Sequence, residues 1–190
     1  MQTALIQPDL HTCGLLVDRA ADVSAGRAAI RQMKSMGCQP NHGLYVKLLA
    51  KAASLTEAIA VIEEMRAAGF RPGSGTYNAA INVVRNEADS RVIIADMIAA
   101  QVTPDRGTYH LLLDRVHGEE AVRALIAEMQ AAAIPLDTAV YARLIAQTPN
   151  YTAACAVITE MRASNIQPDK GTYYALISRT ADEVAARNQL

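Results

Sequence analysis

His110, Asp114 and His117 fall at i, i+4 and i+7, a spacing that sets all three on one face of a helix. Two imidazoles and a carboxylate are a conceivable metal set, but no further ligand is legible around them; an exposed polar stripe is the default. A second group recurs just after proline: Asp9, Asn41, Asp105, Asp137 and Asp169. An oxygen at such a place can cap the next helix by accepting a backbone N–H, or it can be offered to a ligand. Cys13, Cys38 and Cys155 are odd in number and contain no CxxC, so neither a disulfide framework nor a zinc signature is present. A reducing intracellular compartment is expected, and secretion is not. Asp and Glu are spread along the chain rather than gathered, and pairs such as Glu63-Glu64 and Glu119-Glu120 suit solvated helix faces. There is no glycine-rich phosphate loop and no nucleophile elbow. No catalytic residue, metal or cofactor is expected within this span.

The elements that carry these residues follow from composition and period. Of 190 residues 51% are hydrophobic, yet only 4% are aromatic, with one Phe and no Trp. Alanine and small aliphatics supply the apolar content, which favours close-packed helices over sheets. A net charge of −1 gives no global pull toward phosphate backbones. Charges interrupt every helix, so no membrane span is expected. The opening MQTALIQPD has neither a basic n-region nor an Arg-rich amphipathic presequence.

Self-similarity is the dominant signal. Met33, Met65, Met97, Met129 and Met161 are each 32 residues from the last. Ile30, Ile62, Ile94, Ile126 and Ile158 precede them by three, and Tyr45, Tyr77, Tyr109, Tyr141 and Tyr173 keep the same period. Pro40, Pro72, Pro104 and Pro168 repeat too, with Pro135 displaced by one. Each unit reads as helix A, a tight turn, helix B and a second turn. Asp89 is available to cap helix B of the third unit, and Ser54 with Glu57 has capping-box spacing in the second. Gly37 and Gly69 suit the left-handed residue after helix B, where Gln101, Ala133 and Asn165 stand in the other copies. Ile and Met are expected to line the inner side of helix B, and Tyr to be core rather than a stacking platform. A single helical hairpin cannot bury both faces of its helices, but stacked copies can, which makes the expected fold an all-α solenoid. The units are placed at 10–41, 42–73, 74–105, 106–137 and 138–169. Residues 1–9 are then the tail of a preceding unit and 170–190 a partial one, as in a piece of a longer protein.

GTYNAAI (75–81) and GTYHLLL (107–113), with the tails EEMRAAGFRPG, IADMIAAQVTPD and TEMRASNIQPD, carry a family likeness. A T-Y start to helix A and an M-x-x-x-G-x-x-P-D tail resemble the pentatricopeptide-repeat (PPR) pattern, over essentially the whole chain and with a repeat shorter than usual. Tetratricopeptide repeats would place a W…LG…Y…P pattern that is absent here. The resemblance implies a right-handed α-solenoid that binds single-stranded RNA, one base per repeat. It implies base readers at the residue after Tyr and at the last residue of each unit. These are Gly14 with Asn41, Val46 with Gly73, Asn78 with Asp105, His110 with Asp137, and Ala142 with Asp169; Tyr174 opens the partial unit. Asn78 with Asp105 is a pair that implies uracil, and His110 with Asp137 is the weaker pair. A mitochondrial or chloroplast setting is the family's usual one, and a bacterial cytoplasm fits the residues equally.

Two features depart from that pattern. The family's aliphatic wedge between bases is replaced by His11, Gly43, Gly75, Gly107, Ala139 and Gly171, glycines that packing is expected to explain. A phosphate-contacting Lys near the end of helix A is replaced by Asp22, Ser54, Asn86, Gly118 and Asn150. Lys47, Lys51, Arg85 and Arg115 are expected to add charge near the groove. RNA binding on the helix A face is therefore the first expectation. A scaffold holding a protein partner on the same face is the second.

Overall fold

The structure, a computed structural model, describes residues 10–187, and side-chain burial over residues 14–179. The expected tail at 1–9 with its Asp9 cap, the His11 and Cys13 side chains and the last side chains of the partial unit lie outside that range. Among the described residues every regular element is a helix. The A helices are α1 (Leu10–Asp18), α3 (His42–Leu49), α5 (Ser74–Val83), α7 (Arg106–Leu113) and α9 (Thr138–Gln147). The B helices are α2 (Val23–Ser35), α4 (Leu55–Ala67), α6 (Glu87–Ala99), α8 (Glu119–Ala131) and α10 (Tyr151–Ala163), each of 13 residues. Helix α11 (Lys170–Arg187) runs on without the turn that divides every earlier unit.

The chain forms two compact units, one ending at Pro104 and the other beginning at Asp105. In the first, α1, α3 and α5 pack in succession and each also packs on its own B helix. In the second, α7, α9 and α11 pack in succession, α7 and α9 on their B helices α8 and α10, and α11 on α10 as well.

Short polar residues start the helices. Asp22, Ser54, Asn86 and Asn150 cap the B helices, their side chains accepting the backbone N–H three residues on at 2.7–3.2 Å. Each satisfies one of the donors that a helix start leaves without a partner. The expected Asp89 cap is therefore displaced: Asp89 lies inside α6, and its carboxylate accepts the Asn86 side-chain N–H at 2.8 Å. At Ser54 the expected box is half formed, because the Glu57 carboxylate takes the N–H of Ala53 at 2.8 Å. Gly118 fills the same place in the fourth unit at φ 90°, with Gln147 accepting its N–H at 2.8 Å.

The B helices share one ending. Gly37 and Gly69 are left-handed, and Gln101, Ala133 and Asn165 adopt that conformation despite a Cβ. Behind each, the N–H of Cys38, Phe70, Val102, Ile134 or Ile166 returns to the carbonyl of the repeated Met at 2.8–3.1 Å. This is the Schellman closure, so each Met holds a buried core position and also supplies the carbonyl that ends its helix. All five Met are buried, as are Ile30, Ile62, Ile126 and Ile158. Ile94 is half-exposed instead, and its neighbour Ile93 is fully buried. The place of Ile93 is buried in other copies too, at Val61, Leu125 and Val157, so only the Ile94 position differs from its repeats. Tyr45, Tyr77 and Tyr141 are core, Tyr109 is half-buried, and Tyr173 on α11 is 44% exposed.

Candidate functional site

In the second unit the helix A face brings three side chains together. His110 Nε2 lies 2.9 Å from Asp137 Oδ2, and the Arg106 guanidinium donates to that same oxygen. Arg106 stands one helical turn before His110, and its Nε is 3.4 Å from His110 Nε2. Asp137 also caps α9 through Oδ1, which accepts the Val140 N–H at 3.1 Å. Partial burial works against the Asp137 charge. The Val140 N–H, the Arg106 guanidinium and His110 outweigh it and hold the carboxyl below its ordinary value. One oxygen of Asp137 thus serves the helix start and the other serves the cluster.

The next unit has the same geometry in a simpler form. Asp169 caps α11, accepting the Thr172 N–H and hydroxyl at 2.8 Å each. Those two bonds, with a further one from Thr138, hold its carboxyl below the ordinary value. Ala142, the position expected to be paired with it, is half-buried. Asn78 is half-buried on α5 of the first unit, whereas Asp105 caps α7 of the second, accepting the Thr108 N–H at 2.9 Å. Asn41 caps α3 through the Leu44 N–H at 3.0 Å. Gly14 is buried and Val46 half-buried.

The sequence reading omitted two participants. Arg106 joins His110 to Asp137, and its position directly after the cap was the available signal. The threonine of the G-T-Y start completes the caps: Thr108 and Thr172 hydroxyls accept the N–H of Asp105 and Asp169 at 3.1 and 3.3 Å. That D-x-x-T spacing is a capping box legible in the sequence.

Packing does not account for the wedge glycines, contrary to expectation. Gly43, Gly75, Gly107 and Gly171 are exposed, and a Cβ on Gly75 would meet nothing within 4 Å. On Gly43 or Gly171 it would meet only that helix's own cap oxygen, at 3.4 Å. The first turn of helix A is bare backbone with room above it.

Three of the four expected cations are already engaged. Lys47 pairs with Asp18 at 2.5 Å, and Lys51 donates to the Asp18 carbonyl at 2.6 Å. Arg115 donates to the Leu111 carbonyl, and burial lowers its pKa. Arg85 is exposed. The positions where the family places a phosphate-contacting Lys are the B-helix caps, which explains their short side chains. His110 and His117 do not share a partner: His117 Nδ1 meets Arg143 at 3.4 Å. No group of three or more His, Cys, Asp and Glu that could hold a metal occurs among the described residues. No described helix is long and apolar enough to cross a membrane.

The sequence profile of the pentatricopeptide repeat domain matches residues 29–87 and 124–183, more than half of the chain. No curated protein matches. Among solved structures, the pentatricopeptide repeat protein PPR10 from maize is similar at 20% identity and a TM-score of 0.59, over 97% of this chain and 34% of that one. PPR10 in complex with an 18-nt psaJ RNA element is similar at 23% identity and 0.59, over 95% and 32%. The PPR domain of Arabidopsis thaliana protein-only RNase P 1, in complex with tRNA, is similar at 15% identity and 0.60, over 90% and 95%. At these identities the likeness shows the fold, which is the all-α helical-repeat class expected. The chain spans about a third of the length of the PPR10 structures.

Proposed function

This chain belongs to the pentatricopeptide-repeat family, and from that premise we propose that its helix A residues bind single-stranded RNA, one nucleotide per repeat. The observation that carries the reading is the 2.9 Å contact between His110 and Asp137, because it sets the two reader positions of one repeat side by side. The RNA held by PPR10 and the tRNA held by the RNase P repeat domain support the choice of ligand. Asn78 with Asp105 is the pair for uracil, and His110 with Asp137 is the second reader. Asn41 and Asp169 are last-residue members beside partners with no side-chain donor. The repeats read as units 10–41, 42–73, 74–105, 106–137 and 138–169. The chain acts as a binding module without chemistry of its own, in a mitochondrion, a chloroplast or a bacterial cytoplasm.

The test is fluorescence anisotropy with pooled random single-stranded RNA oligomers. Saturable binding that Asn78→Ala and His110→Ala each weaken by about fivefold or more supports the reading. Equal binding by both variants and the parent chain contradicts the site. A second reading, a peptide scaffold on the same face, is favoured by the bare first turn at Gly75, which has no wedge to place between bases.

A further inference from the structure

A groove of about 380 Å³ opens on the helix B side of the first unit, between α2 and α4, and its lining is unlike the rest of that unit. Arg27, Arg31 and Lys34 stand on one wall, Glu64 on the other, with Ile30 and Tyr45 beneath. Three cations thus face one carboxylate, and Arg27 already takes that carboxylate as its partner. Arg31 and Lys34 have no ion-pair partner among the described residues. The Arg27 Nε is buried without a hydrogen bond.

The repeat provides an internal control. One unit later, Arg66 occupies the place of Lys34, Tyr77 that of Tyr45 and Asp96 that of Glu64. There the groove is closed electrostatically. Arg66 donates to the Tyr77 hydroxyl at 2.5 Å and to Asp96 at 2.8 Å, and it pairs with Glu63 at 2.5 Å. Glu63 holds the place of Arg31, so an acid has become a base in the first copy. Tyr141 and Tyr173 hydroxyls are bonded as well, at 3.0 and 3.3 Å. The Tyr45 hydroxyl alone of these four makes no hydrogen bond among the described residues. The first groove therefore has two surplus positive charges, a spare phenol and a buried N–H, over an apolar floor.

We propose that this groove binds an acidic peptide segment of a partner protein, with carboxylates on Arg31, Lys34 and the Tyr45 hydroxyl and an apolar side chain on the floor. Charge complementarity selects an anion. The floor selects a peptide over a nucleic-acid strand: Tyr45 is 3% exposed and Ile30 6%, so no aromatic face is open for a base to stack on. The reader residues lie on helix A, so the module would engage RNA and a protein partner by different helices.

The probe is a fluorescein-labelled twelve-residue peptide of repeating Asp-Glu-Leu, titrated with the full chain by anisotropy, with oligouridine RNA titrated in parallel. Saturable peptide binding is expected, weakened by about tenfold or more in the Arg31→Glu/Lys34→Glu double variant and by about threefold in Tyr45→Phe. RNA affinity is expected to stay within about twofold of the parent chain. Arg31 and Lys34 are exposed, so the double variant should keep its helical circular dichroism, and Tyr45→Phe removes only a hydroxyl. Absence of peptide binding at low salt, or binding indifferent to these variants, overturns the proposal. So does a parallel tenfold loss of RNA affinity, which would make the groove a nucleic-acid surface. If the chain binds no RNA at all, the peptide titration still decides this proposal.

Discussion

Asp137 does two jobs with two oxygens, and two variants tell them apart. Asp137→Ala takes away the cap and the cluster together, and should lower the stability of the second unit by about 1–2 kcal/mol in urea unfolding. Asp137→Asn keeps a capping oxygen but not the charge. Because the folded carboxyl is held below its ordinary value of 3.8, its stabilisation is complete above that pH and disappears as pH falls through the lower folded value. The parent chain should therefore lose stability on that acid limb more steeply than Asp137→Asn, as read by thermal melts across pH. Ala133 is a second such case, left-handed at φ 55° with a Cβ in the way. Ala133→Gly should raise stability by about 1 kcal/mol, and an unchanged or lower melting temperature would refute the strain argument. The caps after proline were legible as a residue type at a fixed spacing. The Arg106 bridge was not, since it depends on which rotamer reaches across to the next helix, and sequence spacing carries no such information.

At the level of the elements, the hairpins were legible because apolar residues recur with helical period between polar breaks. The location of each B-helix start was less so. Asn86 and Asp89 both have capping chemistry, and only the helix geometry shows Asn86 outside and Asp89 within the first turn. Gly118 is the strictest of these starts, because φ 90° with ψ 146° is a conformation that side chains scarcely adopt. Gly118→Ala should cost about 1–3 kcal/mol in the second unit, measured by denaturant unfolding, whereas Gly75→Ala should cost nothing or stabilise slightly, since space is open there. Equal costs at both glycines would contradict the assignment of a backbone role to one and not the other. The wedge column illustrates a limit of pattern reading: glycine was expected to mark close packing, but its surroundings are empty.

For the whole molecule, the fold class follows from four columns in one register, and a family profile over more than half of the chain agrees. Function is less determined by the fold, because the repeat scaffold is set by buried Met, Ile and Tyr while ligand choice rests on a few exposed positions. Lys47 and Lys51 carry charge that composition counts as available, yet both are tied to Asp18. A near-neutral chain with Lys47 and Lys51 engaged near the helix A face should make few phosphate contacts there, so RNA binding should show a shallow salt slope, of about two released counterions or fewer. The most direct measurement of the central claim is anisotropy of the full chain with oligouridine of matched length, across a salt series, for the parent chain and Asn78→Ala. The account predicts saturable binding at low salt with that shallow slope and a loss of about fivefold or more in the variant. No saturable binding even at the lowest salt, or equal affinity in parent and variant, would contradict it.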